Sequence, residues 1–174
     1  MSKLEVRYSV ISILSCILLF APNASASSSD IKKEIQMIAP NSTFSVFIVA
    51  SIDKAKEFYE SHFGFNVVFQ NEWYLHLVSK SGIQVAFMLP NQPTQPNIFH
   101  KPFSGDGVIL SLEVNDADSA YFYAKSNSLN IALELRSEEW GQRHFSLKDP
   151  NGVYVDIVQA IEASEEYKPD YEEK

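Results

Sequence analysis

Cysteine is almost absent from this chain of 174 residues, and its one cysteine, Cys16, lies in an N-terminal segment that we expect to be removed. The mature protein would then have no disulfide, no thiol nucleophile and no thiolate metal site. A chain of this length can bury a core large enough for one domain. We therefore expect core packing, and no covalent crosslink, to supply the stability.

Long hydrophobic runs are also scarce, and the clearest one covers residues 10–20, near the N-terminus. Lys3 and Arg7 precede this run, and small residues at Ala24 and Ala26 follow it. This order is typical of a secretory signal peptide, so we predict a signal at residues 1–26 that is cleaved after Ala26. The prediction places the mature protein in the periplasm or outside the cell.

Two other interpretations of the N-terminus fit the sequence less well. An uncleaved membrane anchor needs roughly 20 apolar residues, and this run has about half that number, so we expect no stable membrane insertion after cleavage. A lipoprotein signal would end its apolar segment before the modified cysteine. Here Cys16 follows Ile13, Leu14 and Ser15, but the run continues to Phe20.

Basic residues are fewer than acidic residues. The chain carries 14 basic and 22 acidic residues, a formal charge of −8. Cleavage after Ala26 removes two basic residues and one acidic residue, which moves the charge to −9. A net-acidic domain repels phosphate backbones, so nucleic acid is not an expected partner.

The remaining sequence divides into a leader, a domain and a tail. We predict a polar leader at 27–41 with a short helix at 31–38, a domain at 42–159 and an acidic tail at 160–174 whose end is disordered. Proline and polar residues fill 90–106, which predicts a connector between two modules at 42–89 and 107–159.

Hydrophobic periodicity predicts the elements of both modules. Ser51 and Asp116 are the expected helix caps. The inward helix positions are Ile52, Ala55, Phe58 and Tyr59 in the first module and Ala117, Ala120, Tyr123 and Ala124 in the second. The predicted strands are 43–49, 65–70, 73–79, 83–89, 108–114, 130–135, 143–148 and 153–159.

The two modules align with each other. Residues 49–53 match 114–118 in position and role, Phe58 falls on Tyr123, and Phe65 falls on Leu129. A self-match that covers strand, cap and helix face indicates duplication. The predicted fold is α+β, with two tandem βαβββ modules forming a cupped mixed sheet and the helices outside.

These residues resemble a known family. Residues 49–65, with their capped helix and the run Phe63, Gly64 and Phe65, are similar to the first half of the vicinal oxygen chelate superfamily. That superfamily includes glyoxalase I, extradiol dioxygenases, fosfomycin-resistance enzymes and bleomycin-resistance proteins. Residues 140–145 and the Asp-Pro-Asn-Gly turn at 149–152 resemble its final hairpin. The resemblance covers about residues 42–159.

The resemblance implies where a metal would be bound. The family's enzymes usually hold a divalent ion with four side chains, and these positions fall on Phe44, Ala86, Ile109 and Asp156. A catalytic ion needs three or more protein donors, and only Asp156 supplies one. Ser45 and Leu110, one residue along, are no better. We therefore predict no metal at the usual place and no other cofactor.

Metal-free members of the superfamily, bleomycin-resistance proteins above all, use the cleft to hold a planar or aromatic compound. Strand alternation predicts a mainly apolar concavity with a few polar groups, the usual character of a small-molecule pocket. The expected cleft residues are Phe44, Val46, Trp73, Tyr74, His76, Ala86, Met88, Ile109, Trp140, Arg143, Tyr154 and Asp156. Phe99 is a further ring expected near the rim.

Several single residues have two interpretations. Asp156 is either a buried carboxylate that anchors a ligand amine or acts as a general base, or it is a relic paired with Arg143 or a strand-edge group. His76 is expected on the cavity face and His144 on either face. His62 and His100 are expected to be solvent-exposed.

The leading hypothesis is a metal-independent, exported small-molecule-binding protein whose ligand is aromatic and, given the acidic charge, cationic. The rival is a lyase or isomerase that uses Asp156 with His76 or His144, or a metal at a displaced site. A third class is an interaction module with a vestigial cleft. The sequence leaves open whether two chains pair as a homodimer or the two halves close within one chain.

Overall fold

The computed structural model describes Ile38 and residues 40–168, and the described residues from Ser42 onward belong to one compact unit. The predicted signal peptide and the last residues of the acidic tail lie outside the described residues. So does the predicted short helix at 31–38, apart from Ile38. Within the described part of the chain, no helix is long and apolar enough to cross a membrane.

Each module contains one helix and four strands in the predicted order. The first module has β1 (Ser45–Ile48), α1 (Ile52–Phe63), β2 (Asn66–Gln70), β3 (Tyr74–Val78) and β4 (Gln84–Met88). The second has β5 (Ile109–Glu113), α2 (Ala117–Ser126), β6 (Ile131–Glu138), β7 (Gln142–Lys148) and β8 (Tyr154–Ala160). A 3₁₀ turn at Asn97–Phe99 interrupts the connector.

The duplication is confirmed in the sheets. Each module forms a four-stranded mixed sheet, in the order β1-β4-β3-β2 and β5-β8-β7-β6. The first and last strands of each module pair in parallel, with Val46 opposite Ala86 and Ser111 opposite Asp156. The other neighbours are antiparallel. The α+β prediction of two tandem βαβββ modules is therefore correct.

One strand runs further than predicted. The sequence predicts a strand that ends at Leu135. The strand continues to Glu138, since Arg136 pairs with His144 and Glu138 pairs with Gln142. The register between β6 and β7 shifts before Leu133 and again before Arg136. Bulges of this kind break the period of two on which a sequence-based strand boundary depends.

Both helices begin at the predicted caps. The Ser51 Oγ accepts the Lys54 N–H at 3.2 Å, and the Asp116 carboxylate accepts the Ser119 N–H at 2.9 Å. Gly64 ends α1 with φ of 65°, a left-handed conformation that glycine adopts without strain.

The core lies between the helices and the sheets. Phe47 and Val49 of the first module and Phe145 and Ile157 of the second point toward the helices and are buried. Tyr123 lies at the margin of the inward face of α2, on the same side as Ala120 and Ala124, and is 43% exposed. Its hydroxyl lies 3.2 Å from the His62 Nδ1 at the end of α1.

The second module's Asp-Pro-Asn-Gly turn joins it to the first module. The Ser51 N–H donates to the Asn151 Oδ1 at 3.0 Å, and the Asn151 Nδ2 donates to the Ser51 carbonyl at 2.9 Å. The Tyr59 hydroxyl donates to the Asp149 Oδ2 at 3.4 Å. The turn is thus both a hairpin connection and a clamp on the start of α1.

The beginning of the acidic tail packs against the β6–β7 turn. The Ile161 N–H donates to the Gly141 carbonyl at 2.9 Å, and the Ser164 N–H donates to the Glu139 carbonyl at 2.8 Å. This ordered part of the tail follows directly from β8.

Candidate ligand-binding site

The concave face of the first sheet carries most of the predicted cleft residues. Leu75, Leu77 and Val85 are fully buried toward α1, so their neighbours Tyr74, His76 and Gln84 face the opposite side. The aromatic and apolar residues on or beside this second face are Phe44, Val46, Ile48, Trp73, Tyr74 and Met88.

A cavity of about 230 Å³ opens on this face. Its lining residues are Val46, Ile48, Trp73, Tyr74, Met88, Gln95 and Phe99. Two of them, Gln95 and Phe99, come from the connector, which therefore forms one wall. The lining combines three aromatic rings with one side-chain amide, a composition that suits a small, mainly apolar molecule with one polar group.

His100 holds the connector in place. Its Nε2 lies 3.0 Å from the Gln92 carbonyl and 2.9 Å from the Gln95 carbonyl. A single N–H shared by two carbonyls closes a compact loop next to the cavity. His100 is half-buried, so the expectation that it is solvent-exposed was wrong.

Ring contacts order the cavity wall. Trp73 and Tyr74 lie with ring centroids 5.8 Å apart at 70°, and Phe69 packs 6.1 Å from Tyr74. Burial raises the pKa of the Tyr74 phenol, which keeps the hydroxyl protonated and able to donate a hydrogen bond.

His76 lies beside the cavity. Its Nε2 is 3.0 Å from the Gln84 Oε1, and its ring lies 4.6 Å from the Phe44 ring. Ala86, opposite His76 across the β3–β4 pair, is small and fully buried. His76 therefore shares the face of Tyr74, as the sequence predicted.

A second cluster lies on the sheet of the second module. The His144 Nδ1 lies 2.9 and 3.1 Å from the two Asp156 oxygens, and its Nε2 lies 3.3 Å from the Glu138 Oε1. The Ser146 Oγ donates to Asp156 at 2.6 Å. An imidazolium ring would donate to both carboxylates, and a neutral ring to one of them.

Glu138 is ionised within this cluster. Desolvation pushes the pKa of its carboxyl upward, but hydrogen bonds and charge from Arg136 and His144 outweigh that effect and lower the pKa. Arg136 pairs with Glu138 from the exposed side. The cluster is thus a chain of side chains in which a histidine is held between two carboxyl groups.

Tyr154 and Ile109 border a separate, open depression of about 550 Å³ on the second module. Its other lining residues are Gly105, Asp106, Gly107, Val108 and Ser146. The Lys148 ammonium lies 5.2 Å from the centre of the Tyr154 ring, and this cation–π contact covers one side of the phenol.

Arg143 and Trp140 lie elsewhere. The Arg143 guanidinium forms two 2.6 Å hydrogen bonds with the Asp118 carboxylate near the start of α2. These bonds raise the pKa of Arg143 and lower that of Asp118. The pairing of Arg143 with Asp156 was therefore wrong. Trp140 is in the β6–β7 turn, where its Nε1 donates to the Gln142 Oε1 at 3.1 Å.

Comparison with known proteins identifies the family. The model of the Glyoxalase/Bleomycin resistance protein/Dioxygenase superfamily matches residues 34–157, which is most of the chain. The chain belongs to this superfamily. A search of curated protein sequences gives no significant match.

Solved structures agree with this assignment. A superfamily member from Sphaerobacter thermophilus DSM 20745 is 26% identical, with 71% of this chain and 99% of that chain covered and a TM-score of 0.57. A glyoxalase/bleomycin resistance protein/dioxygenase from Nocardioides is 15% identical, with coverage of 77% and 92% and a TM-score of 0.63. TioX from Micromonospora sp. ML1 is 17% identical, with coverage of 70% and 100% and a TM-score of 0.55. The last two show the fold alone.

The metal-binding positions of the superfamily do not fit a metal in this chain. Phe44, Ala86 and Ile109 offer no donor, and Asp156 already accepts hydrogen bonds from its own neighbours. In the described residues, no group of three or more His, Cys, Asp or Glu side chains is placed to hold an ion. The His144 ring itself separates Asp156 from Glu138, so these carboxylates do not converge on one point.

The predicted cleft residues lie on both modules, and four of them, Val46, Trp73, Tyr74 and Met88, line the cavity on the first module. Phe44, Val46, Trp73, Tyr74, His76, Ala86 and Met88 lie on the first module, and Ile109, Tyr154 and Asp156 on the second. Sequence reasoning missed Gln95, because a proline-rich connector has no period that assigns a face. It also missed Glu138, because the bulged β6 was predicted to end before it.

Proposed function

We propose that this protein is an exported, metal-independent small-molecule-binding protein whose ligand is a flat aromatic compound bound in the cavity on the first module. The observation that carries the proposal is the cavity of about 230 Å³ between the first sheet and the connector, with Trp73, Tyr74 and Phe99 in its wall. Flat rings stack favourably against such side chains. Export rests on residues 1–26, and a purified mature chain that begins at Ser27 would support it.

The charge of the ligand is inferred from the net charge of the protein. The expected −9 charge of the mature chain favours a cation over an anion through long-range attraction. Asp156 does not add a free anchor for that cation, since it is engaged by His144 and Ser146. The aromatic surface therefore carries the affinity, and the acidic surface mainly speeds the approach of a cationic ligand.

The chain's two tryptophans supply a matched test. We expect Trp73→Ala to weaken binding of N-methylquinolinium about tenfold, because the lost stacking and apolar contact together amount to roughly 1.4 kcal/mol. Trp140→Ala, which changes the same residue type in the β6–β7 turn, should leave the affinity unchanged. Titration followed by calorimetry gives both affinities, and naphthalene and 2-naphthoate probes give the dependence on charge.

Several results would contradict the proposal. Binding that is lost in Trp140→Ala and kept in Trp73→Ala would place the ligand elsewhere. Stoichiometric zinc, nickel, manganese or iron in protein purified without chelators, or loss of binding after chelator treatment, would overturn metal independence. Absence of binding by all three aromatic probes would favour the interaction-module hypothesis.

The second candidate is a lyase or isomerase, favoured by His144 between Asp156 and Glu138. A histidine oriented by a carboxylate is a common general base or acid, and proton transfer of this kind contributes roughly 10²- to 10⁴-fold to a rate. Proton-to-deuterium exchange at carbon atoms next to carbonyl groups, followed by NMR in D₂O, would detect such chemistry.

His144→Gln should then abolish the exchange, whereas His76→Gln, on the first module, should not. Exchange that survives His144→Gln would rule out the acid–base role of the cluster, and equal loss in both variants would point to unfolding.

A further inference from the structure

The duplication lets one module serve as a reference for the packing of the other. The inward positions of α1 correspond one to one with those of α2, in the order Ile52 with Ala117, Ala55 with Ala120, Phe58 with Tyr123 and Tyr59 with Ala124. In α1 these positions carry three large side chains. In α2 three of the four are alanine, so the second helix brings less volume to the same kind of sheet.

The missing volume is visible as a cavity. Tyr59 fills its place in the first module and is 0% exposed, whereas its counterpart Ala124 is buried but small. Phe58 is 8% exposed, whereas its counterpart Tyr123 is 43% exposed and lies at the edge of the cavity. A cavity of about 430 Å³ remains between α2, the end of α1 and the second sheet.

The wall of this cavity is almost entirely apolar. Its deepest residues, Leu112, Phe145, Leu147 and Ile157, lie on the helix-facing side of the second sheet. Ser111, Ser146 and Asp156, next to them in sequence, are on the other side. The cavity is thus on the opposite face of the sheet from the Asp156 cluster, and it shares no lining residue with the aromatic cavity of the first module.

Polar groups occur at one side of the cavity. The His62 Nδ1 and the Tyr123 Oη are 3.2 Å apart, and the Tyr123 hydroxyl also lies 3.5 Å from the Ser61 carbonyl. Both His62 and Tyr123 line the cavity. A ligand hydroxyl or carbonyl at this position could join an existing hydrogen-bond pair, while the rest of the ligand meets only hydrocarbon.

We propose that this cavity is a second binding site, for a neutral and mainly hydrocarbon molecule that carries one hydroxyl or carbonyl group. The cavity is partly open to solvent, and burial of an apolar ligand surface against its hydrocarbon wall is favourable. Its volume falls in the range of small-molecule sites. The ligand enters between the ends of the two helices, beside Tyr123, with its polar group at His62 and Tyr123.

The test uses 1-alkanols from butanol to decanol, which have no ring to stack in the aromatic cavity, titrated into the full mature chain by calorimetry. Each added methylene should raise the affinity about threefold to fourfold, until the cavity is full, after which the affinity should stop rising. Ala124→Phe, which restores the bulk present in the first module, should weaken binding of every homologue at least tenfold. Trp73→Ala, in the other cavity, should leave the alkanol affinities unchanged.

Two further variants keep the proposal testable if Ala124→Phe does not fold. Leu129→Ala enlarges the cavity, so the affinity should continue to rise up to a longer homologue before it stops rising. Tyr123→Phe removes one hydroxyl and should weaken all homologues by the same factor without changing the chain length at which the affinity stops rising. The proposal is overturned if no alkanol binds, if folded Ala124→Phe binds as the parent does, or if Trp73→Ala weakens binding of the alkanols. The last outcome would assign them to the aromatic cavity and leave the proposed function standing.

Discussion

Tyr59→Ala should lower the free energy of unfolding by about 3–5 kcal/mol, the usual loss for removal of a large buried aromatic side chain. The Tyr59 ring is fully buried and lies 5.0 Å from the Phe87 ring and 5.3 Å from the Phe58 ring. Its hydroxyl reaches Asp149 of the other module. Urea unfolding followed by circular dichroism gives the change, read as a shift of the midpoint at constant slope.

Tyr59→Phe is the matched control. It keeps the ring and loses the hydroxyl, so its effect should be about 0.5–1.5 kcal/mol, the ordinary range for one hydrogen bond. The difference between the two variants isolates the ring. A loss under about 1 kcal/mol for Tyr59→Ala would mean that the ring does not support the core. Relaxation of the surrounding side chains does not normally recover most of the stability lost when a large buried ring is removed.

Asp149→Ala is the second large effect, with an expected loss of about 2–4 kcal/mol. The Asp149 Oδ1 accepts the N–H groups of Asn151 and Val153, each at 2.8 Å, and Oδ2 accepts the Tyr59 hydroxyl. Alanine would leave these donors without an acceptor in a site where Asp149 is only 4% exposed. Asp149→Asn keeps one oxygen acceptor and should lose less than half as much.

The pH dependence gives an independent check at the same residue. Burial raises the pKa of Asp149, and hydrogen bonds from backbone N–H groups and Tyr59 offset this only in part. A carboxyl with a raised folded-state pKa binds its proton more readily in the folded chain. Its contribution to stability is therefore present below the unfolded pKa of about 4 and lost as pH rises through the folded value.

The parent should accordingly gain stability relative to Asp149→Asn as the pH is lowered from neutral toward about 4. Urea midpoints of both proteins across this interval measure the difference. A difference that does not change with pH would show that Asp149 has the same proton affinity in the folded and unfolded chains.

Local patterns were enough to predict the fold. Ser51 and Asp116 cap the helices through contacts within three residues, and strand alternation separates buried Phe47 from exposed Val46. Such features depend on nearest neighbours along the chain, which the sequence displays directly. The duplication then supplied the topology, because each copy supports the interpretation of the other.

The site was harder to predict because its contacts join distant residues. Arg143 could pair with Asp156 on the next strand or with Asp118 near a helix start, and both partners satisfy its charge. The structure selects Asp118, since the Arg143 side chain lies on the helix side of β7 while His144 lies on the other. The buried Phe145 and Leu147 set the alternation of β7, which puts Arg143 on their side, but no pattern along the chain tells which carboxylate on that side it will reach.

The clamp formed by Asn151 on Ser51 has a consequence for the order of assembly. The start of α2 is held by Gln159, 42 residues along the chain, but the start of α1 is held by a residue 100 positions later. Contacts with such sequence separation form slowly, because a long loop must close first. The contact that fastens the start of α1 to the second module therefore cannot form until the final hairpin, at the far end of the domain, has become available.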